Sequence, residues 1–168
     1  TKAIEMLSTN DQGYVLMVEG GRVDHAHHAG NAARALTDTI AVSEALEAAF
    51  NAVDPEETLI LLTADHSHVF SIAGYPARNN PILGIAGTAD DGLPYTTLGY
   101  LNGPGAKTLE EGADISTMSA EEVRAALQRA DLAEIDTTDV DYLQQALIPL
   151  SSESHAGDDV AVFAQGPQ

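Results

Sequence analysis

A chain of 168 residues, 44% of them apolar, is long enough for one packed domain or a piece of a larger one, and too apolar to stay disordered. Its 26 acidic residues against 7 basic ones give a formal charge of −19, which repels phosphate backbones and anionic lipid heads and argues against nucleic-acid and membrane-surface partners. With no cysteine there is neither a disulfide framework nor a thiolate metal site, so any metal must be held by His, Asp and Glu.

No run approaches the roughly 18 to 20 consecutive apolar residues of a membrane span, and the start lacks the order of a signal peptide. The acidic excess is larger than a metal site uses; a salt-adapted source and an ordinary acidic bacterial protein both account for it. Thr1 to Leu7 already has a helical apolar spacing, so the chain is expected to open inside an element, as an excised or processed fragment would.

Residues 13 to 19, Gly-Tyr-Val-Leu-Met-Val-Glu, form a near-continuous apolar run that predicts a strand buried on both faces, the habit of parallel sheets, ending at Gly20-Gly21. From Gly30 to about Val53, Ala33, Leu36, Ile40, Leu46, Ala49 and Phe50 recur at three-to-four-residue spacing, which predicts an amphipathic helix. Asn51 to Pro55 stops it, and Thr58 to Ala64 is a second apolar strand, completing a βαβ unit. Short strands are expected at Val69 to Ile72 and at Asp159 to Ala164. Between about Gly74 and Leu150, Pro76, Pro81, Pro94 and Pro104 interrupt short apolar stretches, as in a loop-rich insertion. Within it Ser119 and Glu122 have the spacing of a capping box ahead of a helix. The expected fold class is α/β, organised as a βαβ core over 1–73, an insertion subdomain over 74–150 and a return to the core over 151–168.

The densest polar constellation, Glu19-Gly-Gly-Arg-Val-Asp24-His25-Ala-His27-His28, follows the first predicted strand, and ligand sites in open α/β sheets lie at the carboxyl ends of strands. Asp24 and His28 are four residues apart; on a helix both lie on one face and can share one ion, and zinc accepts that mixture of donors. Glu19, a hard carboxylate with no adjacent imidazole, suits magnesium better. Such a histidine run can also be a solvated surface patch. A second cluster, Asp65-His66-Ser67-His68, follows the second predicted strand, so two parallel strands would deliver Asp/His sets to one sheet edge. His155 alone reads as a loop residue ahead of the last strand.

The strings from Glu19 to His28, Thr63-Ala-Asp-His-Ser-His68 and Ser151-Ser-Glu-Ser-His-Ala-Gly-Asp-Asp-Val-Ala-Val-Phe163 resemble, in order, the three C-terminal metal-site motifs of alkaline phosphatases. The resemblance extends through Gly74-Tyr-Pro76, Asn102-Gly-Pro104 and the terminal Gly166-Pro-Gln, so it covers nearly the whole chain. It implies an alkaline-phosphatase-like sandwich with a mainly parallel central sheet and a crown-like insertion, and a parent that hydrolyses phosphate monoesters to inorganic phosphate with two zinc ions and magnesium. Residue by residue, it makes Asp24, His28 and His155 ligands of the first zinc, Asp65 and His66 ligands of the second, and Glu19 a magnesium ligand. His68 matches an imidazole that braces Asp24, and His25 a residue near the phosphate or the third metal. His27 has no counterpart role and is expected at the surface; Arg22 is expected in a structural salt bridge.

The nucleophilic serine, the bridging aspartate, the remaining magnesium ligand and the substrate arginine belong to the family's N-terminal part, for which these residues offer no match. The implied second zinc keeps two protein ligands, and the chain alone is expected to be inactive. A homodimeric parent exported to the periplasm or outside the cell follows from the resemblance, although Thr108 to Ile135 departs from the family pattern and leaves dimer contacts there open. A non-catalytic metal-binding module is the alternative reading, and a phosphodiesterase, sulfatase or phosphomutase of the same superfamily a further one.

Overall fold

The computed structural model describes residues 1–110 and 112–167; Gln168, the last residue of the Gly166-Pro-Gln string, lies outside them. Three helices come first: α1 (Lys2–Leu7), α2 (Arg22–His28) and α3 (Ala32–Phe50). The long apolar periodicity is realised in α3, although its stripe is only partly covered, with Ile40 59% exposed. The break between α2 and α3 is local chemistry. Gly30 takes φ 69, a left-handed conformation that strains any side chain, and a Cβ there would also meet Pro104 at 3.3 Å. Asn31 then caps α3 by accepting from the Arg34 N–H. The same amide donates to the Val140 carbonyl at 2.7 Å, and Arg34 pairs with Asp141, so the start of α3 is tied to a segment more than a hundred residues away.

The strands are β1 (Ile60–Thr63), β2 (Ser67–His68), β3 (Phe70–Ile72), β4 (Ile85–Thr88), β5 (Pro94–Thr96), β6 (Leu98–Gly103), β7 (Ala146–Pro149), β8 (His155–Ala156) and β9 (Val162–Gln165). Between β6 and β7 lie a 3-10 turn at Ile115–Thr117 and α4 (Ala120–Ala126), whose start carries the full predicted capping box of Ser119 and Glu122. Among the described residues the strands form four small sheets, β1-β9, β2-β8, β3-β6-β7 and β4-β5. The class is mixed α/β.

The sheet topology differs from the expected one. Among the named strands of the described residues only β6 and β7 pair in parallel, with one further parallel bridge between Ala106 and Ala146; the other strand pairs are antiparallel. Residues 13–20 form neither helix nor strand, and Val15, Met17 and Val18 are 96%, 88% and 77% exposed, so the βαβ unit lacks its first strand. An apolar run becomes a buried strand only when a neighbour takes its backbone hydrogen bonds and something covers its faces. Here β1 finds its partner in β9, in register from Ile60 against Gln165 to Thr63 against Val162.

The apolar core is small: Ala26 from α2, Ala32 and Ala35 from α3, Leu98 and Tyr100 from β6, and Leu132. Around β6 it encloses polar groups as well, above all Gln144 and Glu153, which are 1% and 2% exposed. Those two sit at the joint between the helices and the strands that carry the histidines.

Candidate metal centre

Asp24 and His28 lie one turn apart on α2, and the helical period turns both to one face. Opposite them, β2 and β8 pair antiparallel with His68 directly across from His155, while His66 stands just before β2. The histidines therefore converge through an antiparallel pair and a helix, not along the edge of a parallel sheet.

Their Nε2 atoms surround one oxygen. Asp24 Oδ1 lies 3.2 Å from His68, 3.3 Å from His28, 3.3 Å from His155 and 3.9 Å from His66. The His28 and His155 Nε2 atoms are 3.0 Å apart. Burial raises the carboxyl pKa of Asp24, but the nearby His28, His68 and His155 outweigh it and leave the group below its ordinary value. Oδ1 itself is buried without a hydrogen-bond partner.

Proton placement explains why that oxygen has no donor from His28. The Nδ1 of His28 lies 2.6 Å from the Glu153 carbonyl, which can only accept, so the proton sits on Nδ1 and the lone pair of Nε2 faces Asp24. A lone pair opposed to a carboxylate oxygen calls for a cation between or beside them. Tetrahedral zinc, with bonds of about 2.0 to 2.1 Å, separates its ligands by roughly 3.3 Å; Asp24 Oδ1 stands at 3.3 Å from both His28 and His155, whose own nitrogens are somewhat closer, at 3.0 Å. The donor set and its orphaned oxygen fit a metal of that kind.

Behind this layer stands Glu153, a residue for which sequence reasoning had no role. Its Oε2 accepts from His68 Nδ1 at 2.7 Å and its Oε1 from the Val69 N–H at 2.8 Å. Its own N–H donates to the His28 carbonyl at 2.9 Å. Glu153, His28 and His68 also cluster closely enough to suggest a second ion. The 2.7 Å separation is that of a hydrogen bond, however, and too short for two ligands of one zinc.

His27 is not the surface residue expected. Its ring stacks on His68 with centroids 4.6 Å apart, tilts against Phe70 at 5.0 Å and places Nδ1 2.8 Å from the Tyr100 hydroxyl. Burial, aided by His68, pushes its pKa down to about 4 against the opposing pull of Asp24. Burial likewise raises the Tyr100 hydroxyl, with Glu153 adding to the effect. A neutral histidine thus forms the floor beneath His68.

Other predicted residues stand apart. Glu19 and His25 are exposed and belong to neither cluster; Asp65 is 89% exposed and touches only the edge, with Oδ2 3.5 Å from His66 Nε2. Arg22 is exposed and makes no ion pair among the described residues, so the expected structural salt bridge is not formed.

A family model described as alkaline phosphatase matches residues 1–168. The chain belongs to the alkaline phosphatase family. It is 42% identical over 167 residues to the tissue-nonspecific isozyme of Gallus gallus, covering 98% of this chain and 29% of that protein. The alkaline phosphatase of Gadus morhua is likewise 42% identical, with 98% of this chain and 32% of its own length covered. For the tissue-nonspecific isozyme of Homo sapiens the identity is 38%, over 98% and 29%. The chain therefore spans about three tenths of the length of these relatives. The alkaline phosphatase motifs quoted from the sequence contain all the side chains that meet around Asp24, and Glu153 as well.

Proposed function

We propose that the chain supplies the metal-holding part of an alkaline phosphatase that hydrolyses phosphate monoesters, with Asp24, His28 and His155 as ligands of one zinc. The observation that carries this is the buried, unpartnered Oδ1 of Asp24 facing the bare Nε2 of His28. Asp65 and His66 are assigned to a second zinc and Glu19 to magnesium, as family membership supports; the exposure of Asp65 and Glu19 fits groups that need further donors to close a site. Bound zinc ions would stabilise negative charge on the attacking and leaving oxygens of the phosphoryl group.

The chain's own residues do the holding. Asp24 and His28 offer donors from one rigid helix face, and the Glu153 carbonyl keeps His28 in the tautomer that leaves Nε2 free. His68, held by Glu153 through Nδ1, stands beside Asp24 on the β2 side, with Nε2 3.2 Å from Oδ1. His25, exposed on α2, is available to a phosphate at the mouth. The nucleophilic serine of the family has no match among these residues, so the 168 residues alone would bind metal without turnover. A homodimeric parent, a location in the periplasm or outside the cell, and an insertion over 74–150 that forms the crown of the sandwich complete the proposal. No helix among the described residues is long and apolar enough to cross a membrane.

Zinc titration of the metal-free chain in competition with a chromophoric chelator tests the reading. The expected result is tight binding that Asp24→Asn and His155→Ala each weaken by at least tenfold, with no release of p-nitrophenol from its phosphate ester. Unchanged zinc affinity in Asp24→Asn would refute the ligand assignment, and turnover by the pure chain would refute its inactivity.

A further inference from the structure

We infer that Glu153 is the positioning residue of the metal centre: one buried residue that fixes the proton of His68 through its side chain and the proton of His28 through its backbone. Four contacts carry this. The carboxylate is fully used, with Oε2 on His68 Nδ1 at 2.7 Å and Oε1 on the Val69 N–H at 2.8 Å. The main chain is used at both ends, with the carbonyl on His28 Nδ1 at 2.6 Å and the N–H on the His28 carbonyl at 2.9 Å.

Burial gives these contacts their weight. Glu153 is 2% exposed, and a carboxylate so placed is retained only where its partners compensate the loss of water. The partners here are not an arginine or lysine but an imidazole and a backbone amide. A glutamate that served only to stabilise the fold could be replaced by an apolar residue of similar size. One whose carboxylate aims His68 could not.

The two arms have different consequences. His28 is gripped by the Glu153 backbone, which any side chain at that position would preserve. His68 is gripped by the carboxylate alone. Its Nδ1 is thereby occupied, and the ring is turned so that Nε2 faces Asp24 Oδ1 at 3.2 Å. Since Glu153 is also two residues before His155, the segment that holds His28 and His68 delivers the third predicted ligand as well, through the β2-β8 pairing. Groups that orient metal-bound histidines typically change metal affinity by 10- to 100-fold when removed, on the order of what is expected here.

This inference rests on reading Asp24, His28 and His155 as ligands, and its test separates the two. The imidazole nitrogens of the 15N-labelled, metal-free chain are observed by NMR in the wild type, Glu153→Gln and Glu153→Asp, and zinc affinity is measured on the same samples. In the wild type, His28 and His68 should both carry the proton on Nδ1. Glu153→Gln has one acceptor where two donors point, so the His68 nitrogens should shift toward an exchanging tautomer mixture while those of His28 stay in place. Zinc affinity should fall by at least tenfold, and Glu153→Asp, which restores both acceptor oxygens, should recover part of it. Unchanged His68 nitrogens in Glu153→Gln would overturn the inference. So would equal shifts at His28 and His68, because they would mean general loosening of the fold. If Glu153→Gln does not fold, the same comparison is made on Glu153→Asp, whose shorter side chain should shift His68 and spare His28. Should the wild type bind no zinc, the ligand reading falls, and the nitrogen shifts still decide the role of Glu153.

Discussion

Tyr100 shows how a single hydroxyl can matter to stability without touching the proposed metal. It is 5% exposed and its hydroxyl meets His27 Nδ1 at 2.8 Å, with no ligand candidate in contact. Tyr100→Phe leaves a buried ring nitrogen unsatisfied and should cost about 1 to 2 kcal/mol in urea unfolding. Zinc affinity should not change, because His27 donates nothing to the Asp24 cluster; a tenfold loss would place His27 in the metal-binding machinery. Asp91 offers a separate check by pH. The Arg129 guanidinium holds its carboxyl below the ordinary value through contacts of 2.8 and 2.6 Å, with the Leu93 N–H assisting. A carboxyl lowered on folding contributes fully above its unfolded pKa and loses that contribution as pH falls through the folded one. The Asp91 carboxyl signal should therefore titrate below an ordinary aspartate and move back up in Arg129→Met. At this scale the sequence exposed Asp24 and His28 through their four-residue spacing, but not His27. Helical phase alone cannot tell a floor residue from a surface one when β3 and β6, its actual neighbours, lie far along the chain.

Elements with local causes were legible. The periodicity of α3 and the Ser119 and Glu122 pair of α4 are written within a few residues of where they act, and both form. β1 and β3 likewise lie within the apolar runs that predicted them, and β9 overlaps its expected run and extends one residue past it, to Gln165. Residues 13–19 were misread for the opposite reason. A strand is a relation between segments, and a near-continuous apolar run says nothing about whether a partner is at hand. The start of α3 shows local and distant causes joined. Asn31→Ala removes both the cap on the Arg34 N–H and the bond to the Val140 carbonyl, of which the first is worth about 1 kcal/mol and the second a similar amount. The expected result is a loss of about 2 kcal/mol in urea unfolding, with faster amide exchange in both the first turn of α3 and the 137–144 segment. Ser119→Ala, removing a cap with no distant partner, should cost about 1 kcal/mol and alter exchange in α4 alone. Equal effects of the two substitutions on the 137–144 segment would mean that Asn31 does not bridge them.

For the molecule as a whole, exposed apolar surface and net charge act in opposite directions. Leu59 and Leu61 beside and within β1, and Val162 and Phe163 on β9, are 50%, 63%, 69% and 63% exposed, and Val15, Met17 and Val18 more so. Two-stranded sheets such as β1-β9 also present unpaired backbone along their outer edges. Such surface favours association of copies through hydrophobic burial at about 25 cal/mol per Å² of apolar area. Against it stands the charge of −19, which pushes copies apart over about 10 Å at 0.1 M salt and only about 3 Å at 1 M. Salt should therefore decide the outcome. The metal-free chain is expected to be smallest in light scattering at low ionic strength, to bind a hydrophobic dye there, and to form larger species as salt rises, with dye binding falling as the surface is covered. Leu61→Lys and Phe163→Lys, on the exposed faces of the two paired strands, should raise the salt needed, even though each added lysine lowers the magnitude of the net charge. If both variants associate at lower salt than the wild type, charge rather than the β1-β9 surface governs association. If the wild type stays monomeric and dye-free at every salt concentration, the exposed apolar residues are covered in solution by a rearrangement of this chain alone.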